Sequence, residues 1–261
     1  ELAADGLHLD HAARYRQTSE FLTVWRATMR GEPIDFEGEY FRIRNDGPLD
    51  IPAVQSPYPP LYLGGASEAA IEVAAEHVDH YLTWAEPPSS TGAQIALARV
   101  AALRLGRSLK FGMRVHLIVR ETAAQAWAAA DRLISKVDDP QIEAARLARE
   151  RRSQSEGQRR QTSLHGFRRE ALEVSPNLWV GMGLVREGAG AALVGDPETV
   201  AARIAEYQAL GVETFITSGY PHLEEAFTVA ELLFPALGLG SSASTGLRRD
   251  REFGASTISA G

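Results

Sequence analysis

The 261-residue chain contains no cysteine, only two lysines (Lys110 and Lys136), three methionines and no long unbroken apolar run. Without cysteine there is no disulfide framework, no zinc ribbon and no thiol nucleophile; this is compatible with a reducing cytosol, so a cytoplasmic protein is expected. No cluster of His, Asp and Glu has metal-ligand spacing, so no metal is expected. No transmembrane span or secretory signal is visible. A net charge of −7 argues against nucleic acid or an anionic membrane as partner. Basicity is local, carried by single arginines and one run. What is present, 44% hydrophobic and 23% charged residues, is near the globular average and enough for one large domain.

The most informative stretch is Phe111-Gly-Met-Arg-Val-His-Leu-Ile-Val-Arg120. As an extended strand it puts Met113, Val115, Leu117 and Val119 on one face and Arg114 and His116 on the other. One reading is a half-exposed antiparallel strand with its polar side in water. The other is a strand of a parallel βα unit, because helix-like segments at 91–105 and 121–135 flank it. Helices then cover the outer face, and the inward Arg and His look into a polar cavity.

Along the chain, Asp10 can cap a helix over 11–30 with Tyr15, Phe21, Leu22, Trp25 and Met29 as its apolar stripe, ended by Gly31 and Pro33. Alternation around Glu37-Gly38 predicts a short hairpin over 34–44, followed by a Pro-rich connector through Pro60. Four βα units come next, with strands at 61–64, 78–84, 111–120 and 214–218. Such units make a parallel α/β sheet, either an open doubly wound sheet or a TIM barrel. The missing G-x-G-x-x-G after the first strand lowers the Rossmann option. The segment 138–195 reads as a long irregular insertion, its centre (145–160) rich in Arg, Glu and Gln. It is expected to be a lid, a disordered stretch or a solvated charged helix. The Ser-, Gly- and Ala-rich tail 240–261 is expected to be disordered.

In a barrel the chemistry sits at the carboxyl ends of strands. This chain places Gly64-Gly-Ala-Ser67, Trp84-Ala-Glu-Pro-Pro88, Arg114 with His116, and Ser218-Gly-Tyr-Pro-His222 there. Gly64 and Gly65 make either a plain tight turn or a close backbone approach, and Ser67 stands at a helix N-terminus that favours phosphate. Trp84 is either core or a wall of the pocket rim. Tyr220, held between Gly219 and Pro221, reads as a pocket residue, whereas His222 equally well starts the last helix. Arg186, in Gly183-Leu-Val-Arg-Glu-Gly-Ala-Gly190, suits a mobile loop closing on an anion. Arg114, Arg186, His116 and Tyr220 can bind an anion and move protons; the harder chemistry then belongs to an organic cofactor.

Eight blocks in order resemble the luciferase-like flavin monooxygenases, and within them the alkanesulfonate monooxygenases of sulfur-scavenging two-component systems. They are Leu9-Asp-His-Ala-Ala-Arg-Tyr15, Pro57-Tyr-Pro-Pro-Leu-Tyr-Leu-Gly-Gly65, Tyr81-Leu-Thr-Trp-Ala-Glu-Pro-Pro88, the stretch 111–120, Ser175-Pro-Asn-Leu-Trp179, the stretch 183–190, Ala192-Leu-Val-Gly-Asp196 and Ser218-Gly-Tyr-Pro-His-Leu-Glu-Glu-Ala226. The resemblance implies a TIM barrel that takes reduced FMN (FMNH2) from a separate NAD(P)H-dependent FMN reductase and, with O2, converts an alkanesulfonate to an aldehyde and sulfite. It implies Arg114, His116, Arg186 and Tyr220 as active-site residues, with Trp84 in the pocket. FMN phosphate would lie near His11, Tyr15 and the turn Gly65, Ala66 and Ser67, where Ala66 replaces a serine frequent in relatives. It further implies four strands before Glu1, so the expectation for 1–239 is an N-terminally truncated barrel, inactive by itself, and a homo-oligomer at full length. Alternatives within the fold are another FMN- or F420-dependent oxidoreductase, or a non-catalytic flavin-binding fragment.

Overall fold

The structure, a computed structural model, describes residues 6, 9–47, 53–152 and 155–239. The tail expected at 240–261 lies outside the described residues. Helix α1 (His11–Met29) begins as expected, with the Asp10 carboxylate accepting the Ala13 N–H at 2.7 Å. The hairpin also forms, β1 (Ile34–Glu37) pairing antiparallel with β2 (Arg42–Asn45). Glu20 of α1 ties it down by accepting the N–H groups of Glu39, Tyr40 and Phe41 at 2.7, 2.9 and 3.1 Å.

The βα alternation then follows: β3 (Tyr62–Gly64), α2 (Glu68–His77), β4 (His80–Trp84), α3 (Pro88–Arg104), β5 (Lys110–Val119) and α4 (Ala123–Ile134). Segment 138–195 is not irregular. It folds into α5 (Asp139–Arg152), α6 (Glu156–His165), β6 (Glu173–Ser175), β7 (Leu178–Trp179) and β8 (Ala192–Gly195). Of the expectations for this segment, a charged helix is what its centre forms, paired along its own length: Arg146 bonds Glu143 and Glu150, and Arg159 bonds Glu156, at spacings of three and four. The chain closes with α7 (Pro197–Ala209), β9 (Val212–Ser218) and α8 (His222–Thr228), which runs on through a π-helical turn to Ala236.

Strands β3, β4, β5 and β9 lie side by side and parallel, which removes the antiparallel reading of the Phe111 strand. Strand β8, not expected from the sequence pattern, joins β5 on the side that β4 occupies. Lys110 N donates to Asp79 O and Ala85 N to Arg114 O; further along, His116 N donates to Ala191 O and Arg120 N to Gly195 O. Even-numbered residues of β5 therefore bond β4 and then β8, leaving the other side to β9. Strands β7 and β6 extend this edge antiparallel.

On β5, Met113, Val115 and Val119 are 0% exposed and Leu117 is 2% exposed, packed with Ile95 and Ala98 of α3 and Ala126 and Ala130 of α4. Each such aliphatic side chain contributes about 1.5–3 kcal/mol by leaving water. Alanines on α4 let that helix approach closely, and its start is fixed by a reciprocal Thr122–Gln125 capping box. With one face of the sheet sealed by helices, Arg114, His116 and Ile118 project to the other.

Candidate active site

Strand register builds the polar face row by row. Trp84, Arg114 and Ile216 are neighbours on β4, β5 and β9, and His116 is beside Ser218 in the next row. Arg114 is exposed, while His116 is 2% exposed beneath the loop 183–190. The shared face predicted for them is correct, but their surroundings differ because β8 and its preceding loop cover only the later row.

The His116 ring is held at both nitrogens. Nε2 lies 2.9 Å from the Ala189 carbonyl oxygen, which only accepts, so Nε2 carries the proton. Nδ1, 2.9 Å from Ser218 Oγ, then accepts the serine hydroxyl. Burial pushes the imidazole below its usual range, aided by the charges of Arg114 and Arg186, and against the bonds to Ala189 and Ser218. The Tyr220 ring sits 5.3 Å from His116 and 4.6 Å from His222. The Arg186 guanidinium lies 4.7 Å over the same ring. Tyr220 Oη is buried without a hydrogen-bond partner among the described residues, and Tyr220 lines a cavity of about 240 Å³ with Arg120, Arg132 and Glu225. Among the described residues neither Arg114 nor Arg186 has an ion-pair partner.

Several residues that sequence reasoning missed hold this group together. Arg149, 5% exposed, donates to the carbonyls of Gly183 and Arg186 at 2.6 and 2.7 Å. Gln158 Oε1 accepts the Gly188 N–H at 2.8 Å. Gln161 accepts the Gly190 N–H at 3.2 Å and donates to Ala85 O at 2.9 Å. Arg160 forms a two-bond pair with the buried Glu86 at 2.8 and 2.5 Å. Helix α6 thus joins the loop after β4 to the loop carrying Arg186. Trp84 is half-buried, and its indole meets α6 at Gly157, where an added Cβ would lie 3.4 Å from it. The only sequence signal for these contacts was the Arg and Gln richness of 145–160.

A second group gathers at the first βα turn. His11 and Tyr15 pack edge to face at 5.0 Å. A Cβ on Gly65 would lie 2.9 Å from Tyr15 Oη and 2.6 Å from Ala70 Cβ, so glycine is what lets α1 and α2 meet there. Ser67 caps α2 by accepting the Ala70 N–H at 3.3 Å, and Tyr81 Oη donates to Gly65 O at 2.5 Å, fixing the turn. Tyr15, Ala66, Ser67 and the free N–H groups of the first turn of α2 form a donor set suited to a phosphate. Among the described residues no helix is long and apolar enough to cross a membrane.

The profile of the family described as luciferase-like monooxygenase matches residues 1–214. Among solved structures, the chain is similar to a riboflavin lyase holding modified FMN and its substrate riboflavin, with TM-score 0.69 and 18% identity over 92% of this chain and 62% of that one. It is also similar to the EDTA monooxygenase of Chelativorans sp. BNC1, with TM-score 0.66 and 21% identity over 90% and 62%. A third likeness is to a long-chain alkane monooxygenase, with TM-score 0.65 and 20% identity over 93% and 58%. The chain therefore spans about three fifths of these proteins, and the likeness at such identities is one of fold.

Proposed function

Because the chain belongs to the luciferase-like monooxygenase family, we propose that it carries active-site residues of a monooxygenase that uses reduced FMN and O2 to convert alkanesulfonates to an aldehyde and sulfite. The observation that carries this reading is Arg186 stacked over Tyr220 beside the buried His116, with Arg114 one row away and neither arginine in an ion pair among the described residues. Two unpaired guanidinium groups at a partly dry rim favour an oxyanion, and the planar fork suits a sulfonate.

The balance is an alkanesulfonate, FMNH2 and O2 giving aldehyde, hydrogensulfite, FMN and water. The carbon bearing sulfur is oxidised, one oxygen atom becomes the aldehyde oxygen and the other leaves as water. Reduced FMN, when bound, would supply the two electrons for this chemistry. The close-packed turn 65–67 fits its phosphate, with Tyr15 and Ser67 as hydroxyl donors, His11 alongside and the N-terminus of α2 behind. Arg114 and Arg186 would hold the sulfonate and stabilise negative charge that grows during oxygen delivery. Both ring nitrogens of His116 are engaged, so a proton would move through the Ser218 hydroxyl or the unpartnered Tyr220 Oη. Trp84 would wall the pocket beside Arg114. The loop 183–190, docked on α6, would keep water out. A separate NAD(P)H-dependent FMN reductase and a homo-oligomeric assembly complete the proposal.

The test supplies FMNH2, O2 and alkanesulfonates of increasing chain length to the full-length protein in which these residues lie and measures sulfite. Sulfite in proportion to FMNH2 oxidised is expected, and Arg186→Ala should lower that yield while O2 consumption continues. Turnover with reduced F420 instead, or FMNH2 binding with no sulfite, would replace this reading by another oxidoreductase or by a non-catalytic flavin-binding piece.

A further inference from the structure

Arg149 is a buried guanidinium that, among the described residues, has no hydrogen-bonded carboxylate. Its terminal nitrogens go to two main-chain carbonyls of one loop, at Gly183 and Arg186, and its Nε has no partner. Burying a cation whose hydrogen bonds go to carbonyl dipoles, with the Glu187 charge acting on it only through space, is a costly way to stabilise a fold. Two further features aim it. Its guanidinium lies 5.0 Å from the Phe167 ring centroid, and Phe167 holds a φ of 57°, a left-handed conformation rare for a bulky side chain. That conformation is secured by the Phe167 N–H donating to His165 Nδ1 at 2.9 Å.

The carbonyl that Arg149 holds is that of Arg186 itself, whose side chain stacks on Tyr220. From the same insertion, Gln158 and Gln161 take the N–H groups of Gly188 and Gly190. The glycine-rich stretch is thus gripped before and after Arg186, in its acceptors by Arg149 and in its donors by the two glutamines. We propose that Arg149 is a positioning residue, clamping the main chain at 183 and 186 so that the Arg186 guanidinium is held over Tyr220. The assignment rests on the reading of Arg186 as an anion-binding residue, but the clamp itself is a mechanical statement that can be checked apart from it.

The experiment compares wild type with Arg149→Met and Arg149→Lys, each as the full-length protein, in two measurements. In hydrogen exchange, the amides of Gly188 and Gly190 should exchange about ten-fold faster or more in both variants, with α4 amides unchanged, because a lysine ammonium does not span two carbonyls as the fork does. In turnover, sulfite per FMNH2 oxidised should fall by about ten-fold to a hundred-fold while FMNH2 is still consumed, as for a misplaced binding group. A folded variant with unchanged exchange across 183–190 overturns the clamp. Should Arg149→Met not fold, Arg149→Lys decides by the same two outcomes. If wild type itself forms no sulfite, the functional reading fails while the exchange data still decide on the clamp.

Discussion

His116 and its partners show how much a single polar atom decides. With Nε2–H committed to Ala189 O, the Ser218 hydroxyl is what satisfies Nδ1 of the buried His116 ring. Ser218→Ala leaves a buried acceptor unpaired, which costs about 1–3 kcal/mol, whereas Ser218→Thr keeps the hydroxyl. Chemical denaturation of the two variants should show that difference, with turnover slowed in the alanine variant and retained in the threonine one. Gly190 is a steric counterpart. A Cβ there would lie 2.7 Å from Gly183 Cα and 2.9 Å from Gly183 N, both main-chain atoms with no rotamer to yield. Gly190→Ala must open the loop, so a loss of about 1–3 kcal/mol is expected in thermal melts.

Among the elements, α6 is the one whose role was least legible in the sequence. Its polar composition supports helical pairing on the outside, while Gln158, Arg160 and Gln161 point inward to the loops at 85–86 and 188–190. The Arg160–Glu86 pair is asymmetric: the glutamate side chain is 7% exposed and the arginine 33%. Removing the arginine strands a buried carboxylate, so Arg160→Met should cost about 3 kcal/mol. Glu86→Gln leaves a cation that water already reaches and should cost about 1 kcal/mol. Urea unfolding of both variants measures the ordering; equal losses would mean the pair is not the anchor of α6. Strand β8 escapes a reading by pattern because four residues without a helix directly before them look like loop, and only pairing with β5 and β7 makes them a strand.

At the scale of the molecule, buried imidazoles couple stability to pH. Burial lowers His77, His80, His116 and His165 from the ordinary 6.5, His165 to about 4 with help from the Arg149 charge. Above pH 6.5 folded and unfolded chains both hold His165 neutral, and its contribution is complete. Between 6.5 and 4 the unfolded chain binds a proton that the folded one refuses, so stability falls as pH falls; below about 4 nothing further is lost from this group. For His165 alone the span corresponds to about 3 kcal/mol. Unfolding free energies across pH 7.5 to 4 should therefore decline, and His165→Gln should flatten that decline.

The sequence by itself determined the parallel α/β class, the α1 cap, the hairpin and the residues facing the polar side of β5, because period-two and period-three-to-four patterns and capping chemistry are local. It also placed Tyr220 and Ser67 at the carboxyl ends of strands. Only the tertiary structure decided that Arg114 is open while His116 is sealed, that both His116 nitrogens are taken, and that a charged insertion folds into helices docked on the loop of Arg186. Those outcomes depend on contacts between residues such as Arg149 and Gly183 or Glu86 and Arg160, far apart in the chain. No local pattern encodes which distant carbonyl or carboxylate a guanidinium will meet.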